Sequence, residues 1–385
     1  IPSFGLYRYW NMIQYYFPYR DITEQAWSGV LENFVTEFVS ASSELEYELA
    51  FLHLINEVAD THANLGGDIN AIEKMKGSYF PPVHAQIVED QLVVLDIYEP
   101  EKDPSMPLKA GDVITSINNV DVATLIEQRM SLYPASNRPT KLRNLARELL
   151  RHSEPQLGVV YQRGEQKNTI QLKLYPRTEI NGYYLYRKDD GQPVIKMLDG
   201  NIGYVSLKNI TPTDVEELKE KFKNTQGLII DIRNYPNTFT PFTLGSYLVD
   251  KSRPFVKFTT ANNKTPGEFE FSKTLSVQPG EITYKGKVVI LVNEITQSSA
   301  EYTTMAFQAA ENAFVLGSQT AAADGNVSRI ELPGGLSSAI SGIGVFYPDG
   351  GPTQRIGIQP DFVVKPTIEG IRKGQDELLD AAILL

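Results

Sequence analysis

The stretch that most limits what this chain can become is Val288–Glu301, VVILVNEITQSSAE. Its opening run is apolar and mostly β-branched, the composition of a strand buried on both faces. The run ends at Asn293 and passes through Thr296-Gln297-Ser298-Ser299-Ala300-Glu301 into Tyr302–Ala310, which is spaced as a helix. A serine on a turn between a buried strand and a helix has its hydroxyl held up at the sheet edge. The N–H groups of the first helical turn lie beside it, where they can stabilise an oxyanion. Serine is also a favoured N-cap, so this segment alone fits a structural cap as well as a nucleophile.

Composition narrows the choice of partners. The 385 residues suffice for two or three domains, and 42% hydrophobic with 22% charged residues is ordinary for a globular protein. A net charge of -11 argues against nucleic acid as a partner. There is no cysteine and there are four histidines (His53, His62, His84, His152), so neither a disulfide framework nor a thiolate or histidine-rich metal site is expected. No metal or organic cofactor is implied. No apolar run approaches the roughly 18 residues that cross a membrane. The sequence opens Ile-Pro-Ser without a charged leader, so any export signal is expected to have been removed or to lie outside this sequence. The lack of cysteine is compatible with an extracytoplasmic protein.

Three units follow in order. Residues 1–76 read as a small helical domain. Its aromatics are spaced helically (Tyr7, Trp10, Phe17, then Trp27, Phe34, Phe38), and capping boxes are expected at Asp21/Glu24 and at Ser43/Glu46. The helix opened by Ser43 ends in Asp60-Thr61-His62-Ala63-Asn64-Leu65-Gly66-Gly67, a loop of the kind that presents a catalytic group on a rigid base. The other three histidines read as structural. Residues 77–176 are expected to be mainly strands. A hairpin runs around Leu108-Lys109-Ala110-Gly111-Asp112-Val113-Ile114 and Ile117-Asn118-Asn119. A helix covers 122–132, a basic helix 141–152, and closing strands 158–162 and 169–174. Residues 177–385 read as an α/β domain. A hairpin over Tyr183–Met197 turns at Asp189-Asp190-Gly191, and a buried strand at Gly227–Ile232 ends in Asp231-Ile232-Arg233-Asn234-Tyr235-Pro236-Asn237-Thr238. A helix is expected over Thr240–Val249, a polar flap or edge hairpin over 253–283, and a charged final helix from about Gly374.

These motifs, taken in order, resemble the carboxyl-terminal-processing, tricorn-like serine peptidases of family S41. The serine segment is similar to the family's Ser-Ala-Ser-Ala-Ser-Glu, whose nucleophile stands three residues before the Glu and so falls on Ser298. Ser299 then takes the place of the residue whose N–H helps form the oxyanion hole. The Asp231-Ile232-Arg233 strand resembles the family's Asp-Leu-Arg-x-Asn-Pro-Gly-Gly, with Asn237 and Thr238 where the two glycines supply the second donor. The hairpin at 108–119 resembles the centre of a PDZ domain, with Tyr79-Phe80-Pro81-Pro82 where a carboxylate-binding loop would lie. Many relatives use a lysine base 25 residues after the serine; here that position is Ala323, so the Ser-Lys version is ruled out. The Asp-x-His-Ala loop resembles the histidine segment of the Ser-His branch, which puts the base on His62. In that branch the third member stands three residues before the Gly of a Gly-Ile-x-Pro-Asp motif. The motif is present as Gly357-Ile358-Gln359-Pro360-Asp361, and the position falls on Gln354.

The resemblance implies an α/β multidomain fold with a ClpP/crotonase-like core (177–385), a helical N-terminal domain (1–76) and an inserted, degenerate PDZ-like domain (77–176). It implies a serine endopeptidase acting on extended or unfolded polypeptides outside the cytoplasm, with Ser298, His62 and Gln354 catalytic and Ser299 with Asn237 or Thr238 as oxyanion donors. A homo-oligomer stays open. The competing reading is an inactive relative that binds peptides or partners, favoured by the missing lysine, the missing Gly-Gly and Gln in place of Glu.

Overall fold

Runs of β-branched residues build the sheet that carries the serine turn. In the computed structural model, which describes residues 2–180 and 191–385, six strands lie side by side. Their order is Ile195–Leu198, Ile202–Ser206, Gly227–Asp231, Lys287–Val292, Ala313–Gly317 and Phe362–Val363. The first pairing is antiparallel and the other four are parallel. Strand 287–292 is therefore interior, between 227–231 and 313–317. Alternate residues go to opposite faces, as the strand period of two requires. Val288, Ile290 and Val292 pack with Phe222, Met305 and Phe307. Val289 and Leu291 pack with Leu378 and Ala382 of the final helix, Glu377–Leu384. A strand covered on both faces needs the continuous apolar run seen in the sequence.

The N-terminal helices Pro2–Tyr16, Trp27–Ser40 and Glu44–Asn56 enclose an aromatic core in which Tyr9, Phe17, Phe38 and Phe51 are almost fully buried. That core is not closed by the helices alone. Ile330, Leu332, Leu336 and Ile340 join it from the hairpin Val327–Glu331 and Leu336–Ser341. The same hairpin pairs with Gly66–Gly67, so the histidine loop and residues far along the chain share one sheet. The Ser43/Glu46 capping box forms as expected. The Asp21/Glu24 box does not: Arg20–Ile22 is a single 3-10 turn, and the helix starts at Trp27 after an uncapped Ala26. The Glu24 carboxylate instead meets Arg355 at 3.0 Å, a tertiary partner that local spacing cannot foresee.

Residues 83–173 form a mainly antiparallel sheet in the order Val83–Val88, Gln91–Ile97, Val113–Ile117, Gln156–Arg163, Gln166–Lys173, with its own apolar core. The expected short helix is Val122–Arg129. The basic helix runs Arg138–Ala146, earlier than expected, because Asn137 caps it by accepting from the Thr140 N–H at 3.0 Å. Tyr79–Phe80 pairs with Tyr175–Pro176.

Further along, the hairpin expected over Tyr183–Met197 falls mostly on residues 181–190, outside the described residues. Its final stretch, 195–198, pairs with 202–206. The helix expected over Thr240–Val249 shrinks to one turn, Gly245–Leu248, since Pro241 and Gly245 leave it no uninterrupted run of good helix formers. Of the flap and the edge hairpin expected over 253–283, the hairpin is found: Arg253–Ala261 pairs antiparallel with Phe269–Phe271 and Leu275–Val277.

Candidate active site

Ser298 sits where the central strand turns into the helix Ser299–Gln308, with a positive φ of 56° that side-chain-bearing residues rarely adopt. Its strained backbone is held by two acceptors, as the Ser298 N–H points to the Ala323 carbonyl at 3.0 Å and the Glu301 carboxyl at 3.1 Å. Glu301 is fully buried and also accepts from the N–H groups of Ala322 at 2.8 Å and Ala323 at 3.0 Å and from the Thr320 hydroxyl. Burial raises this carboxyl above its ordinary range, and the four donors pull it back. The Glu of the serine motif is thus a pin between the serine turn and the 320–323 loop. Position 323, where a lysine base would stand, is a buried alanine whose backbone grips the serine.

The motif glycine Gly357 is required by this packing. It has φ +68, and a Cβ there would come within 2.4 Å of the Thr320 hydroxyl and 3.2 Å of Glu301. Asp361 of the same motif fixes the sheet edge, accepting from the Val315 N–H at 2.8 Å and donating its own N–H to the Val315 carbonyl at 2.8 Å. In the Asp231-Ile232-Arg233 motif, Arg233 bridges Asp231 at 2.6 Å and Asp376 at 2.7 Å, tying the strand end to the last helix. Burial alone would raise the Asp376 carboxyl, but the guanidinium holds it below the ordinary range.

Beside Ser298 opens a cavity of about 480 Å³ whose walls include Ser299, Tyr235, Phe239, Phe258, Tyr302 and Asp324. Tyr302 is stacked between Phe239 and Phe258, with centroids 5.7 and 6.0 Å away. Asp324 is buried, one of its oxygens has no hydrogen-bond partner, and burial together with the charge of Glu301 pushes it well above the ordinary carboxylate range.

Ser299 is the first helical residue, and N–H groups of a first turn have no partner within the helix. Of the two residues expected to supply the second donor, Asn237 is engaged: its N–H donates to the Leu207 carbonyl at 3.1 Å. At Thr238 the hydroxyl donates to Ile210 at 2.7 Å, which leaves the backbone N–H as the remaining donor of the pair.

His62 belongs to a loop knitted to the same region. The Thr61 hydroxyl donates to the Ala321 carbonyl at 2.8 Å, and the Thr61 N–H donates to Ser136 at 2.8 Å. Asn137 donates to the Thr320 carbonyl at 2.8 Å. The His62 ring has 8% of its side-chain surface exposed, and its Nδ1 lies 2.9 Å from the Ser341 hydroxyl. That hydroxyl donates to Asp60 at 2.9 Å, and Asp60 also accepts from the backbone N–H groups of Ser341 at 2.6 Å and His62 at 3.0 Å. Burial lowers the His62 pKa below the ordinary imidazole value, and the nearby Asp60 charge acts in the opposite direction. No hydrogen bond joins His62 to Ser298 among the described residues. Gln354 is buried but does not bond to His62; its Nε2 lies 3.4 Å from Ser136, and its Oε1 has no partner.

The sequence reading therefore missed Asp60 and Ser341, the residues in contact with the histidine. Asp60 lay in the Asp-x-His pattern without an assigned part. For Ser341 the only signal was a serine-rich strand, Leu336–Ser341, in which Ser337, Ser338 and Ser341 are all buried. Arg143, from the middle sheet's helix, was missed as well. It donates to the Glu294 carbonyl at 2.6 Å and to Gln297 at 3.2 Å, one residue before the serine.

Among known proteins, residues 201–364 match the model of "Peptidase family S41". A carboxy-terminal-processing protease of Bartonella bacilliformis is 26% identical over 197 residues, covering 47% of this chain and 43% of that protein. The chain thus aligns to less than half the length of this curated relative. Solved structures extend the likeness of fold to nearly the whole chain. Mature CPAF superposes with a TM-score of 0.76 at 14% identity, covering 98% of this chain and 95% of that one. The photosystem II D1 C-terminal processing protease gives 0.50 at 18% identity, covering 98% of each. His62 lies outside the segment matched by the family model. The matched segment, which contains the serine turn and all but the first strand of the six-stranded sheet, is the part of the chain that is similar to peptidase family S41.

Proposed function

We propose that the chain is a serine-type endopeptidase acting on extended or unfolded polypeptides, with Ser298 as nucleophile and His62 as general base. The observation that carries this is the Ser298 turn: a strained serine at the end of an interior parallel strand, opening on an aromatic-walled cavity and pinned by a buried Glu301. A serine serving only as a cap would need neither the positive φ nor the cavity.

In this reading Ser298 attacks the peptide carbonyl while His62 takes its proton. The N–H groups of Ser299 and Thr238 hold the oxyanion, and His62 then protonates the leaving amine. Water hydrolyses the acyl-enzyme by the same steps in reverse roles. Gln354 supports the histidine loop from behind, through Ser136 and the Thr61 N–H, without touching the ring. The six-stranded sheet within 177–385 would be a ClpP/crotonase-like core, 77–176 a degenerate PDZ-like domain and 1–76 the helical domain bearing the base. Action outside the cytoplasm belongs to this reading on the family resemblance alone.

Two observations favour the alternative, a peptide-binding protein without turnover: His62 and Ser298 share no hydrogen bond, and the Asn237 N–H is engaged. A serine-directed fluorophosphonate separates the two. The peptidase reading expects covalent labelling that maps to Ser298 and is lost in His62→Ala. A folded protein that binds peptides yet resists labelling is a binder.

A further inference from the structure

We propose that Asp60, acting through the Ser341 hydroxyl, fixes the tautomer of His62 and supplies the negative charge that Gln354 cannot. The inference rests on His62 being the base. A serine hydroxyl has one proton to give, and a carboxylate can only accept. Ser341 Oγ lies 2.9 Å from Asp60 Oδ1 and 2.9 Å from His62 Nδ1. Its proton therefore goes to Asp60, and its lone pair receives the Nδ1–H of His62. That leaves Nε2 unprotonated, which is the form a general base needs.

The arrangement is also rigid. The same carboxylate takes the backbone N–H of Ser341 and that of His62, so one group locks both members. Asp60 and Ser341 have no exposed surface, and Asp60 Oδ1 is 4.0 Å from Nδ1, close enough to stabilise an imidazolium in buried surroundings. From the N-terminal helical region the phenols of Tyr9 and Tyr19 also sense Asp60, both pushed up by burial and so neutral. On the loop facing the serine, burial likewise pushes Asp324 up, while the charge that acts on the ring against its burial is that of Asp60. Asp60 and Ser341 are positioning residues: neither touches substrate.

The test is a long-range ¹H–¹⁵N spectrum of the histidine rings in full-length Ser298→Ala protein, with His62 assigned by its loss in His62→Gln. The expected result is Nδ1–H with a free Nε2; Nε2–H overturns the relay. In Asp60→Asn the new amide can donate to Ser341, which frees the serine to donate to Nδ1 and switches the ring to Nε2–H. With Ser298 intact, Asp60→Asn should lower kcat at least about a hundredfold with KM little changed. Its acid limb should move to lower pH, because a lost carboxylate no longer favours imidazolium. Ser341→Ala should lose kcat and Ser341→Thr, which keeps the hydroxyl, should recover most of it. An unmoved acid limb in folded Asp60→Asn also overturns the relay. Fluorophosphonate labelling keeps the two ideas apart: the expected tautomer without labelling sinks the peptidase reading and leaves the relay, and labelling with Nε2–H does the reverse.

Discussion

The two halves of the proposed site are built by opposite means. The serine half is local: strand, turn, Ser298 and pinning Glu301 fall within Lys287–Gln308, and the Ser298–Glu301 contact spans three positions. The histidine half is assembled across the chain. His62 meets Ser341 across 279 positions, Thr61 meets Ala321 across 260, and Gln354 meets Ser136 across 218. A local device can be read from spacing, and a device of distant parts is visible only once the chain is folded.

The contrast can be broken at the serine half first. Ser298→Ala should lower turnover of an unfolded protein on the order of 10⁴-fold or more. Ser299→Ala should keep most activity, because its part is a backbone N–H. The reverse ranking, measured as kcat, would put the nucleophile one residue later. Next, Glu301→Ala strips the acceptor from three backbone N–H groups and a hydroxyl inside the fold. A loss of about 3 kcal/mol in denaturant unfolding is expected; a loss below about 1 kcal/mol, the net worth of one ordinary hydrogen bond, would show that the pin does not bear on stability.

The smallest expected effect belongs to Asp324, the neighbouring acid that lacks Glu301's full set of donors. Its folded pKa is raised by burial, so its contribution is fully present below the unfolded value near 3.8 and is lost as pH rises toward the folded value. Asp324→Asn should therefore gain on the native protein in Tm as pH goes from about 4 to 8, a range set by the reference carboxylate pKa. A gap that does not widen would mean that the carboxyl finds a partner when ionised.

The fold was legible where local chemistry and tertiary packing agreed. The buried strand at 288–292, the Ser43 cap and the helix at 122–129 all follow from residue type and period. Failures came where a distant partner outbid a local one: Glu24 left its expected cap for Arg355, and the Asn237 N–H went to Leu207. In the proposed site, Ser298 and His62 are candidates that motif context alone puts forward. Ser341 could not, since a serine in an apolar strand carries no mark of what it will face. The contact expected of Gln354 with the ring was inferred from motif position, and the ring's Nδ1 is taken by Ser341.

One consequence concerns interchange of parts between related chains. The hairpin 327–341 belongs by sequence to the second half of the molecule, yet it buries Ile330, Leu332, Leu336 and Ile340 among the N-terminal helices and ends in the serine that meets His62. A chimera that replaces residues 1–76 alone would set foreign helices against a native hairpin, with mismatched side chains directly behind the histidine. Transplanting the hairpin together with the helices keeps that seam intact. The natural cut for grafting is therefore drawn around a shared core, and it crosses the linear order of the chain twice.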